Sequence, residues 1–195
     1  MQPRIQTHSG LAFDLLDPRP EQVRVEDVAY ALSRINRYTG HTVAYSVAQH
    51  SVLAMRTVAD ELREPEHALA ALLHDAAEAY VGDVSAPLKY ALREQDKKSG
   101  HYAKRSSYDV IEGRVQVGVA RALGLSDEAR AAANDVVKQA DLMMLAKEAE
   151  ILMKQPPPRP WTLPEPPARL VVDPWDAEEA RTAFLAAYAD CGRMR

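Results

Sequence analysis

Seven of the chain's 13 prolines fall between residues 156 and 167, in the run PPPRPWTLPEPP. Proline locks φ, donates no backbone N–H and pushes the residue before it away from helix. This stretch is therefore expected to be extended, polyproline-like chain. It divides the 195 residues into a main domain over 1–155 and an arm over 156–195, whose last helix is expected to pack on the same domain. That length suits a single core of useful size with a small appendage.

Outside the arm, apolar residues recur at helical spacing between Gly and Pro breaks, which predicts an all-α bundle. The first 25 residues read as an extended segment, turned at Asp17-Pro18-Arg19-Pro20. A helix over 25–36 follows, with Asp27 as its N-cap and Val28, Ala31, Leu32 and Ile35 on its buried side. Gly40 breaks it, and a second helix spans 43–63. Pro65 opens a third, 65–80, whose Leu and Ala run suggests burial on most sides, and Gly82 ends it. Pro87 starts a short helix through about Arg93, followed by a polar stretch over 94–107. Two further helices, 107–123 and 127–154, meet at Gly124, with an interruption near Asn134. Asp173 is expected to cap a final helix over 174–190.

Composition excludes several classes. No run of 18 or more apolar residues offers a membrane span, and MQPRIQTHSG has no apolar signal core. A single cysteine, Cys191, permits no internal disulfide and suits a reducing compartment, so a cytoplasmic setting is expected. It also excludes thiolate zinc sites and the paired-cysteine deaminase pattern. Any metal must be held by the 6 His and by the 28 Asp and Glu residues. A net charge of −4 argues against binding a nucleic-acid polymer. A small anionic substrate would need local positive charge set against that field.

Four groups stand out: His50 in YSVAQHS, His74 and Asp75 in LLHDAAEAY, and Asp141 in VKQADLMM. Each interrupts an apolar stretch, where an unpartnered polar group costs free energy. A divalent cation satisfies imidazole and carboxylate together. Taken singly, each also reads as a buried polar group with a protein partner. Glu78 and Asp83 add two carboxylates, the first four residues after His74 and so on the same helix face. Metal-assisted hydrolysis uses such groups to handle the attacking water and the leaving oxygen. A solvated helix end and a turn beside Gly82 are their plainer readings. Arg37 in INRYTGH and Lys89 in APLKY could meet a phosphate, whereas Arg34 reads as a surface residue.

The spread of His50, His74-Asp75 and Asp141 resembles the signature of the HD-domain metal-dependent phosphohydrolases. HDAAEAYVGDVSAPLKY over 74–90, with INRYTGH, YSVAQHS and VKQAD, is similar to the corresponding blocks of bacterial 5'-deoxynucleotidases. The opening from Ile5 to Ser33 resembles short bacterial and phage HD hydrolases, among them deoxyadenosine-triphosphate triphosphohydrolases. The likeness covers roughly residues 4–155. It implies that His50, His74, Asp75 and Asp141 ligate one divalent ion, of the Co, Mn, Mg, Zn or Fe type. It implies that Glu78 and Asp83 serve the attacking water and proton transfer. Arg37 would contact the phosphate, and Lys89 would add positive field. The deoxynucleotidases have Trp after this Arg, where it helps reject a ribose 2'-OH. This chain has Tyr38, expected beside the sugar.

The expected reaction is release of phosphate from deoxynucleoside 5'-monophosphates. The first alternative is release of triphosphate from a dATP-type substrate. The second, from another class, is a non-catalytic nucleotide-binding HD module, which has no need of both Glu78 and Asp83. The Gly-Tyr-Pro mark of cyclic-dinucleotide phosphodiesterases is absent, and Ala79 breaks the HDxxED block of alarmone hydrolases. His41 either lines the pocket or caps local backbone; His8, His67 and His101 read as surface residues. Met143, Met144 and Met153 read as core. Trp161 and Trp175 read as anchors fastening the arm or as part of a subunit interface, and a homo-oligomer is expected.

Overall fold

The computed structural model describes residues 3–99, 105–154 and 161–193. The fold is all-α apart from one small hairpin. Strands β1 (Arg4–Gln6) and β2 (Ala12–Asp14) pair antiparallel, with Ile5 opposite Phe13. The helices are α1 (Val25–Leu32), α2 (Val47–Arg56), α3 (Ala68–Leu72), α4 (Glu78–Val81), α5 (Ala86–Lys98), α6 (Ser107–Ala122), α7 (Asp127–Ala132), α8 (Asn134–Leu152) and α9 (Ala177–Arg193).

Several boundaries differ from the sequence expectation, each for a local reason. Asp27 is not the N-cap of α1, which is Arg24. Its buried carboxylate instead accepts from the backbone N–H and hydroxyl of Ser9, both at 2.7 Å, and ties the hairpin to the helix. The second helix begins at Val47, where the Ser46 hydroxyl accepts from the Gln49 N–H, and ends in a π-turn over Thr57–Glu61. Helix α5 continues past Arg93 to Lys98. The last helix is capped by Asp176, whose Oδ1 accepts from Glu178 and Glu179, and not by Asp173. The expected interruption in 127–154 falls at Ala133, one residue before Asn134. Of the Pro-rich run, residues 155–160 and of the polar stretch residues 100–104, with His101, lie outside the described residues. Residues 161–167 carry no helix or strand.

The core gathers Phe13, Val28, Leu32, Val52, Leu72, Leu73, Val115, Val119 and Phe184, each at most 1% exposed. Helix α9 packs against α1, α2 and α3 through Ala180, Phe184, Ala187 and Cys191. Helix α6 approaches the Pro18 turn so closely that a Cβ on Gly118 would sit 2.9 Å from the Pro18 ring. Helix α8 meets α2 in a second cluster built on Tyr45, Leu53 and Met144. Of the other methionines read as core, Met143 is half-buried and Met153 lines a cavity described below. No helix among the described residues is long and apolar enough to cross a membrane.

Candidate metal centre and its two cavities

Three helical segments converge on one point. Helix α2 is buried from Val47 through Ala54, and His50 in its interior is fully buried. His74 and Asp75 were expected inside a continuous helix; the chain instead leaves helix between α3 and α4, and residues 73–77 form successive turns. The backbone groups freed there are taken up by Gln116 of α6. Its amide accepts from the Ala77 N–H at 2.9 Å and donates to the Leu73 carbonyl at 2.6 Å. A buried break without such partners would leave costly orphan groups. The break turns both side chains toward α2 and α8, where Asp141 waits at the surface with 41% of its side chain exposed.

The ligand atoms lie close. His50 Nε2 is 3.2 Å from His74 Nε2, 3.2 Å from Asp141 Oδ1 and 3.7 Å from Asp75 Oδ2. His74 Nε2 is 3.2 Å from Asp75 Oδ2 and 4.0 Å from Asp141 Oδ1. Both imidazoles are oriented through their other nitrogen. His50 Nδ1 lies 2.6 Å from Glu148 Oε1, and His74 Nδ1–H donates to the Ala71 carbonyl at 2.7 Å. With Nδ1 as donor, each Nε2 presents a lone pair beside the carboxylates of Asp75 and Asp141. Only protons or a cation can satisfy such a set. The separations suit donors sharing one first-row ion, whose bonds run about 2.0–2.2 Å. His50, His74 and Asp141 therefore fit a divalent metal, while Asp75 Oδ2 lies beside both imidazoles but outside that compact group.

Arg37 enters on the loop between α1 and α2. An isolated bridge between Asn36 and Ser46 closes the neck of this loop, and the Arg37 N–H donates to the Tyr45 carbonyl at 2.9 Å. Tyr38, Thr39 and Gly40 then take φ values of 58, 54 and 74°, two of them on non-glycine residues. Consecutive left-handed residues are strained and persist only where surroundings fix them. Here the Tyr38 hydroxyl donates to Glu148, and the Arg37 guanidinium reaches Glu148 Oε2 at 3.2 Å and Asp75 Oδ2 at 3.5 Å. His41 is exposed.

Glu148 was not anticipated. It is fully buried on α8, two turns beyond Asp141, and takes donors from His50, Arg37, Tyr38 and Tyr45, the last at 2.9 Å. Burial alone would raise its pKa; the charges of His50 and Arg37 outweigh burial and bring it down to about 2. Burial and the charge of Glu148 hold both tyrosines well above the usual phenol range, so their hydroxyls donate. Burial and Arg37 oppose protonation of His50, but Glu148 and Asp141 prevail and lift it to about 9. Burial also works against Asp75, yet His74 and His50 hold it below the ordinary carboxylate range.

Two cavities flank the cluster. One, of about 410 Å³, is charged and lined by His74, Asp75, Glu78, Lys89, Arg93 and Arg105 among others. Glu78 is 6% exposed there, and its Oε2 has no hydrogen-bond partner among the described residues. Burial, then the nearby Asp75 and Asp83, raise its pKa to about 9. Lys89 pairs with Glu112 at 2.7 Å, and Arg93 with Asp109 at 2.8 Å. Arg34 pairs with Glu178 and caps the Tyr30 ring, away from the cluster. The other cavity, of about 670 Å³, is lined by Arg37, Tyr38, Asp83 and Asp141 and by Leu145, Met153, Pro87 and Trp161 among others. Burial raises the pKa of Asp83. Trp175 packs against the core as expected of an anchor, while Trp161 is 45% exposed.

Fold and centre together define an all-α protein of the HD type, with imidazoles and carboxylates gathered from three helical segments. Residues 33–151 match the family described as 5'-deoxynucleotidase YfbR-like, and the chain belongs to that family of metal-dependent HD-type hydrolases. It is similar to two curated proteins. It is 34% identical over 147 residues to the uncharacterized protein RCAP_rcc00048 of Rhodobacter capsulatus, covering 73% of this chain and 69% of that one. It is 35% identical over 145 residues to the uncharacterized protein YfdR of Escherichia coli, covering 74% and 69%.

Proposed function

We propose that this chain hydrolyses the 5'-phosphoester of deoxynucleoside monophosphates, giving nucleoside and phosphate, in a cytoplasmic setting. The observation that carries the reading is the convergence of His50, His74 and Asp141, with Asp75 beside both imidazoles and a largely buried Arg37 next to them, and with Glu78 and Asp83 in the adjoining cavities. A divalent metal, which His50, His74 and Asp141 would hold with Asp75 as a fourth ligand, would supply an acidified water and an electrophile for the phosphoryl oxygens. Arg37 orients the phosphate through charge-assisted hydrogen bonds. Glu78 takes the proton of the attacking water; a dication at the centre would draw its raised pKa back toward the ionised form. Asp83 lies on the nucleoside side and gives a proton to O5' as the P–O5' bond breaks, a role helped by a raised pKa. The ring of Tyr38 lies against the sugar, its hydroxyl being engaged by Glu148.

The charged cavity favours one second reading, a deoxynucleoside triphosphate whose tail lies toward Lys89, Arg93 and Arg105. Asp109 and Glu112 already pair with Arg93 and Lys89, which leaves little net positive charge for such a tail, so the monophosphate stands first. Product analysis with dAMP and dATP, with Mn²⁺ or Co²⁺ supplied, tests the choice. Phosphate from dAMP is expected. Triphosphate from dATP with no turnover of dAMP would reverse the order. No release from any nucleotide with any metal would remove the enzyme and leave a binding module.

A further inference from the structure

We propose that Trp161, from the Pro-rich arm, forms the nucleobase platform of the substrate pocket. The proposal deepens the reading of a nucleotide substrate and rests on it. The 670 Å³ cavity is lined both by polar residues, Arg37 and Asp141 of the metal centre among them, and by the apolar Leu145, Met153, Pro87 and Trp161. A nucleotide asks for both kinds of lining, polar groups for its phosphate and an apolar face for its flat aromatic base. Ligand pockets of about 300–1,000 Å³ commonly combine a few polar anchors with an apolar wall in this way.

Trp161 is the large aromatic side chain among the apolar lining residues. With 45% of its surface exposed, it does not serve the core as Trp175 does. An indole left open to a cavity offers a stacking face to any base, because every base has a π-face. Farther along the same arm, Gln49 of α2 donates to the Asp173 carbonyl at 2.7 Å and accepts from the Trp175 N–H at 2.9 Å. Gln49 precedes the ligand His50, so the returning arm is fastened to the helix that carries the metal centre. Met153, the residue that ends α8 in extended backbone, and Leu145, one turn beyond Asp141, continue the wall from α8 itself.

The test compares Trp161→Ala and Trp161→Phe with the unaltered full chain. With dAMP, Trp161→Ala should raise KM about tenfold, the scale of one lost base–aromatic stack, and Trp161→Phe should restore most of it. With 2-deoxyribose 5-phosphate, which has no base, Trp161→Ala should change nothing. An unchanged KM for dAMP, or an equal loss on both substrates, would overturn the proposal. A binding arm decides it independently of catalysis. Deoxyadenosine should quench the tryptophan emission of the unaltered chain and leave that of Trp161→Phe unchanged, since only Trp175 remains there. Quenching without phosphate release would uphold the platform while the hydrolase reading falls. No quenching, or equal quenching in Trp161→Phe, would overturn the platform itself.

Discussion

At the scale of single residues, Glu148 links groups that are separate in the sequence. One carboxylate holds a metal-ligand candidate, His50, the phosphate candidate Arg37 and the sugar-side Tyr38. Its two oxygens divide the work: Oε1 takes His50 and Tyr45, and Oε2 takes Arg37 and Tyr38. Such outer carboxylates fix the tautomer and basicity of a ligating imidazole, and their loss typically costs about 10–100-fold in metal affinity. Glu148→Gln is therefore predicted to weaken metal binding by that factor, measured by titration of the chelated protein. Unchanged affinity in a folded Glu148→Gln variant would show that His50 is oriented by other means. Asp141 was legible in the sequence because it breaks an apolar run. Glu148 was not, because it lies in the polar-looking stretch AKEAE, where nothing but its seven-residue spacing from Asp141 marks it. That spacing puts both on one helix face, a signal that becomes readable only once Asp141 is taken as a ligand. Trp161 shows the reverse case: its side chain was noticed, but sequence alone could not separate a core anchor from a cavity wall.

At the scale of elements, periodicity located the helices well and their ends less well. The missed ends follow from side chains that compete for backbone groups. Ser46 starts α2 four residues later than expected by capping it, and Asp176 takes the capping role assigned to Asp173. The break at residues 73–77 was hidden because its partner, Gln116, is 39 residues away from Ala77. Apolar spacing continues through LLHDAAEAY regardless of whether the helix does. Helix α9 lies beyond the Pro-rich run, yet Phe184 is fully buried against α1 and α2. Phe184→Ala is predicted to destabilise the fold by about 3–5 kcal/mol in denaturant unfolding, as a filled core site vacated by an aromatic would. A loss below about 1 kcal/mol would make α9 a loosely held appendage, well short of the cost of a core truncation.

At the scale of the whole molecule, the metal centre sits between two unlike cavities. A chain of net charge −4 binds a phosphate ester only if positive charge is concentrated locally. The cations near the centre are mostly committed: Arg37 to Glu148 and Asp75, Lys89 to Glu112, and Arg93 to Asp109. On the proposed function, a divalent ion would then be the principal source of uncommitted positive charge at the phosphate. This makes metal dependence the central claim. The direct measurement is phosphate release from dAMP by chelator-treated protein as Mn²⁺ or Co²⁺ is added back, for the unaltered chain and for Asp75→Asn. The account predicts no release from the stripped chain, release that rises with added metal, and loss of most turnover in Asp75→Asn at the same metal concentration. Full turnover by the stripped protein, or by Asp75→Asn, would contradict it.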